Sequence, residues 1–81
     1  MAKHLADRNI GVRAAEELFR RFPNLSEKQI TQMLRVERKS LWNWKRGMTP
    51  SGYALTALCF MGCDINYILT GRRNNHEEKE A

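Results

Sequence analysis

This chain of 81 residues is poor in the side chains that carry covalent, metal or acid–base chemistry. It has two cysteines, two histidines and two prolines. Cys59 and Cys63 lie four apart in the apolar stretch ALCFMGCD. One such pair is no disulfide framework and reads as two reduced, mostly buried thiols. A metal site needs more ligands, and His4 and His76 fall near the ends, so no metal and no cofactor are expected. No Ser-His-Asp or Cys-His set, phosphate loop or pair of carboxylates in a pocket-forming context appears, which argues against an enzyme and a small-molecule substrate. No apolar run approaches the roughly 20 residues that span a bilayer, and no secretory leader pattern opens the chain. A soluble, cytoplasmic protein with no membrane partner is expected. Period-two alternation and internal repeats are also missing, which excludes a strand-built or solenoid fold.

What the chain does have is helical periodicity and positive charge. Fourteen Lys and Arg face nine Asp and Glu, for a net charge of +5. The excess is local: between residues 35 and 46 stand Arg35, Arg38, Lys39, Lys45 and Arg46 against the single acid Glu37. A basic cluster favours a phosphate backbone, although a solvated helix face would look the same by charge alone.

Residues 1–10 read as an arm or a short helix, in which Lys3, His4 and Arg8 would suit DNA. The spacing of Ala15, Leu18, Phe19 and Phe22 predicts a helix over 12–22 with one buried stripe, Glu16, Glu17, Arg20 and Arg21 on its other faces, and Pro23 as its end. Ser26 and Gln29 form an S-x-x-Q capping box that opens a second helix, whose inner stripe is Ile30, Met33 and Leu34. A third helix runs from 37 or 38 to 46, with Leu41 and Trp44 inward and Gly47 as its stop. Thr49-Pro50 reads as the start of a fourth helix over 50–61, burying Tyr53, Ala54, Ala57, Leu58 and Met61. Asp64 caps a last short helix over 65–69, closed by Thr70-Gly71. From Arg72 onward the polar run RRNNHEEKEA predicts a disordered tail. One helical domain over 11–71 is expected, a compact all-α bundle of four or five helices.

The stretch QITQMLRVERKSLWNWKRG (29–47) meets the requirements of a helix-turn-helix in register. Ile30 and Leu34 meet Val36 in the turn and Leu41 and Trp44 beyond it, and Thr31 is small where the helices approach. The 3.6-residue period aligns Arg38, Trp42 and Arg46, with Lys39, Asn43 and Arg46 as the next row. Arg and Lys bond guanine O6 and N7, and Asn pairs bidentately with adenine, so Arg38, Lys39 and Asn43 are candidate base readers. Ser40 and Lys45 suit phosphates, as does Arg46. Trp42 lies about 200° around the helix from Trp44 at roughly 100° per residue. It is left for a base or sugar contact, for a cation–π shelf with Arg38 and Arg46, or for a partner protein.

Two blocks carry a resemblance to a known family. SLWNWKRGMTP (40–50) resembles the pattern of a hydrophobic residue, a small residue, Asn-Trp, basic residues and a helix-opening proline in the helix-turn-helix domain of phage repressors of the lambda repressor and Cro superfamily. GCDINYILTG (62–71) is similar to that family's block in which a glycine, a capping residue and an aromatic precede a short apolar run ending in Thr-Gly. The resemblance covers residues 26–71. It implies a lambda repressor-like, five-helix DNA-binding domain acting as a transcriptional regulator in a bacterial host cell, usually as a homodimer on a palindromic operator of double-stranded DNA. It places Glu37, Arg38, Lys39, Trp42 and Asn43 on the operator-facing surface. The chain departs from the family pattern at Arg35, where the turn usually carries glycine, at Glu37, where the cap is usually Ser or Thr, and at Trp42, where a small residue is common. A dimer would have to form within 81 residues, and Ile65, Tyr67, Ile68 and Leu69 offer an apolar patch for it, the bland alternative being ordinary closure of the core. The competing reading is a protein-interaction module, an antitoxin or anti-regulator on the same fold.

Overall fold

A computed structural model describes residues 9–73, which form five helices and, within that range, no strand. They are α1 (Asn9–Arg21), α2 (Glu27–Leu34), α3 (Arg38–Lys45), α4 (Gly52–Phe60) and α5 (Ile65–Thr70). α1 packs against α3 and α5, α2 against α3 and α4, and α4 against α5. Leu18, Ile30, Leu34, Leu41, Leu58 and Ile68 are fully buried at the centre, with Ala14, Ala15, Ala54 and Trp44 around them. The all-helical expectation holds; residues 1–8 and 74–81, which include most of the expected arm and tail, lie outside the described range.

α1 starts three residues earlier than its apolar stripe suggests, because Asn9, Ile10 and Gly11 continue the helix. Gly11 is buried against the end of α3: a Cβ there would lie 2.0 Å from the Met48 carbonyl oxygen and 2.7 Å from that of Trp44. Only a residue without a side chain lets the two backbones approach so closely. Two residues on, where α1 meets α5, Arg13 Nε donates to the Ile68 carbonyl at 3.0 Å, and Arg13 Nη2 to that of Leu69 at 3.3 Å. A guanidinium there satisfies carbonyls that the end of α5 leaves open.

Glu17, expected on a solvent face, is fully buried. Both of its oxygens are filled: Arg20 donates twice, at 3.1 and 2.7 Å, the Asp64 N–H once at 2.9 Å, and Arg73 Nη2 once at 3.0 Å. Burial pushes this carboxyl's pKa up, but the hydrogen bonds from Arg20, Arg73 and the Asp64 backbone outweigh it and bring it down to about 2. The expected tail is therefore tied down at its second residue. Arg73 also reaches Asp64 and stacks over the Tyr67 ring, 4.0 Å from its centroid.

The capping box of α2 forms as the sequence predicts. Gln29 N–H donates to Ser26 Oγ at 3.1 Å, and Ser26 N–H to Gln29 Oε1 at 2.8 Å. Fourth in order, α4 departs from expectation: Ser51, not Thr49, is its cap, accepting from the Ala54 N–H at 3.1 Å, and Pro50 is buried just ahead of the helix. Tyr53 is exposed, not buried; its ring lies beside the end of α2, where its hydroxyl donates to the Leu34 carbonyl at 3.2 Å. An apolar residue on every face of GYALTALCF removes the periodicity that would have distinguished inside from outside. Asp64 caps α5 as expected, and Gly71 closes it with φ 81°.

Candidate nucleic-acid interface

α2 and α3 are joined by residues 35–37, and the joint is closed by backbone bonds. Arg35 takes the left-handed conformation, φ 60° and ψ 43°. Its N–H donates to the Gln32 carbonyl at 3.2 Å, while the Val36 N–H reaches back to Thr31 at 3.0 Å, a Schellman closure. Arginine thus occupies a conformation that favours glycine, and its side chain is exposed. Thr31, 3% exposed, donates its hydroxyl to the Glu27 and Lys28 carbonyls, so its polarity is absorbed inside its own helix where α3 crosses. Val36 packs on the core from within the joint.

α3 enters from Glu37, whose side chain makes no capping bond. Leu41 and Trp44 anchor it inward, at 1% and 4% exposure. The residues the sequence singled out then separate into groups. Glu37, Arg38, Lys39, Trp42, Lys45 and Arg46 are exposed, and Ser40 and Asn43 are half-buried. The guanidinium of Arg46 stacks over the Trp42 ring at 4.5 Å from its centroid, so of the three readings of Trp42 the cation–π shelf forms in part, with Arg46. Arg38 takes no part in it and turns instead toward Glu27, its Nη2 3.9 Å from Oε1. Lys45 is engaged as well: its Nζ hydrogen-bonds to Glu27 and sits 5.3 Å above the centre of the Phe19 ring. Ser40 and Asn43 line a cleft of about 200 Å³ between α3 and the start of α4, shared with Thr49 and Ser51.

No protein-family model matches the chain, and no curated protein or solved structure does either.

Glu27 is the residue of this surface that sequence reasoning passed over. It opens α2 within the reach of two α3 cations, and their hydrogen bond and field hold its carboxyl below the usual range, Lys45 contributing most. The only trace in the sequence is an acid in the first turn of a helix, which is also the ordinary complement to a helix dipole.

The proposed dimer residues do not form one patch. Ile68 is fully buried and belongs to the core, and Ile65 is half-buried against it. Tyr67 is covered by Arg73, and its hydroxyl donates to Glu16 at 3.0 Å. Leu69 alone of the four is exposed, at 42%. The short helix lies across α1, which takes up its apolar side. The larger exposed apolar side chains stand elsewhere: Tyr53 and Phe60 on α4, Trp42 on α3, and Met48 between those two helices.

Proposed function

We propose that the chain is a sequence-specific DNA-binding transcriptional regulator of the phage repressor and Cro type, with α2 and α3 as its helix-turn-helix and α3 in the major groove of an operator. The observation that carries the reading is the division of α3. Leu41 and Trp44 bury one side while Arg38, Lys39, Trp42, Asn43 and Arg46 share the other, with a closed turn fixing the angle to α2. An α-helix with its side chains is about 10–12 Å across, which fits a major groove about 12 Å wide.

In this reading Arg38, Lys39 and Asn43 read base edges, and Ser40, Lys45 and Arg46 meet phosphates. Arg46 arrives stacked on Trp42, which pairs a positive charge with a flat apolar face suited to a sugar edge or thymine methyl. Two copies on a palindrome would place their α3 helices about 34–36 Å apart. Interaction with a protein partner is the second reading, and the uncharged outward face of α4, with Phe60 83% exposed, is what favours it.

Selection of bound sites from random duplex DNA tests the proposal. A palindrome is expected. Arg38→Ala or Asn43→Ala should then lose about 1–3 kcal/mol on the selected site and relax preference at one position each. Enrichment of no sequence, with affinity insensitive to salt, would end the DNA reading; co-purification of a stoichiometric protein would then favour the second.

A further inference from the structure

Arg38 and Lys45 lie seven residues apart, two turns along one face of α3. The Glu27 carboxylate serves both: one oxygen takes the Lys45 hydrogen bond, and the other lies 3.9 Å from Arg38 Nη2. α2 delivers this negative charge to the flank of the most basic of the described helices. It is 41% exposed and lies beside two α3 cations, so a ligand that meets those cations also meets it. A phosphate that reaches for either cation must share it with this carboxylate or displace it, and in both cases lies beside a like charge.

Resting on the DNA reading above, we propose that Glu27 is a specificity-determining residue of this surface, an internal stand-in for phosphate that weakens binding to generic duplex. Generic binding is almost wholly counterion release, so each cation withheld, and each anion left in the footprint, reduces it directly. Base-edge hydrogen bonds do not depend on phosphate charge in this way. Arg38, 3.9 Å from the carboxylate and 66% exposed, is drawn toward it by charge alone and can still turn to a base edge. The same carboxylate therefore lowers generic affinity more than it lowers affinity for the cognate site.

The test compares wild type, Glu27→Gln and Glu16→Gln by fluorescence anisotropy on a random-sequence duplex and on a selected site, from 50 to 200 mM salt. Glu16 lies on α1 and bonds to Tyr67 of α5, so its variant makes the same change in net charge away from α3. E27Q should bind generic duplex roughly 3- to 10-fold more tightly at the low-salt end, with a log–log salt slope steeper by about 1. Its ratio of selected to generic affinity should fall, and E16Q should stay near wild type. Glu27→Asp, which keeps the charge, should retain weak generic binding. The Ser26–Gln29 capping box lies outside the substitution, and thermal unfolding of each variant verifies that the fold persists. Unchanged or weaker generic binding by E27Q overturns the inference and leaves the DNA reading intact. An equal gain in E16Q also overturns it, since net charge alone would then account for the effect. A wild-type chain that binds no duplex at all overturns both.

Discussion

Replacing Gly11 with alanine sets two known effects against each other, and the structure decides between them. Gly11 lies inside α1, where alanine is favoured by roughly 1 kcal/mol on helix propensity. The new methyl, however, would stand 2.0 Å from the Met48 carbonyl oxygen and 2.7 Å from that of Trp44. Ordinary C···O contacts are about 3.3–3.6 Å, so the Met48 carbonyl would have to retreat by about 1.3 Å or more. Neither obstacle is a side-chain end that can swing aside. The Trp44 carbonyl accepts the Gly47 N–H at 2.9 Å, and the Met48 N–H is tied to the Asn43 carbonyl at 3.0 Å. Overpacking of a core costs about 1–3 kcal/mol, and backbone obstacles put this case at the upper end. The net expectation is a loss of about 2 kcal/mol, which in a domain of this size lowers Tm by about 8–16 °C. Thermal unfolding followed by far-UV circular dichroism gives the answer. A melting temperature equal to or above that of the wild type would refute the close approach of α1 to the end of α3.

Acid should destabilise the fold through Glu17. Its folded pKa of about 2 lies below the unfolded value, so its stabilisation is fully present above about pH 4.5 and is lost as pH falls toward 2. The shift corresponds to about 3 kcal/mol, and urea midpoints between pH 5 and pH 2 should fall much less in Glu17→Gln than in wild type. A wild-type midpoint that is flat across this window would show that the carboxyl is not held as described. Arg35→Gly relieves a left-handed arginine, worth about 1–2 kcal/mol, against about 0.4–1 kcal/mol of added unfolded-chain entropy. A small rise in melting temperature is expected, and a fall would mean that the Arg35 side chain contributes more to the fold than its exposure suggests.

The parts of this fold that were legible in the sequence are those set by neighbours a few residues apart. Ser26 and Gln29 cap α2, Asp64 caps α5, and Ile30, Leu34, Leu41 and Trp44 turn inward, each through spacing alone. The rest depends on partners far away in the chain. Glu17 sits one turn from Ala14 and beside Leu18, on the buried side of the stripe, but its partners Asp64 and Arg73 are 47 and 56 residues distant. Without them a buried glutamate is not a sensible reading. Gly11 is the same case, since its reason lies at Trp44 and Met48. On the candidate surface, the period correctly turned Trp42 outward and set Arg46 beside it. It could not assign Arg38 and Lys45 to Glu27, because an ion pair between helices depends on how those helices cross.

The Glu17 carboxylate joins three separate parts of the chain, α1, the entry to α5 and the residue at 73. Contacts of such sequence separation form late, after the loops between them have closed. An interaction absent from the folding transition state leaves the folding rate nearly untouched and slows unfolding instead. The clasp is then expected to act as a lock on a finished structure: Glu17→Gln should speed unfolding and leave the folding rate nearly unchanged, so the clasp governs how long a folded molecule lasts more than how quickly one is made.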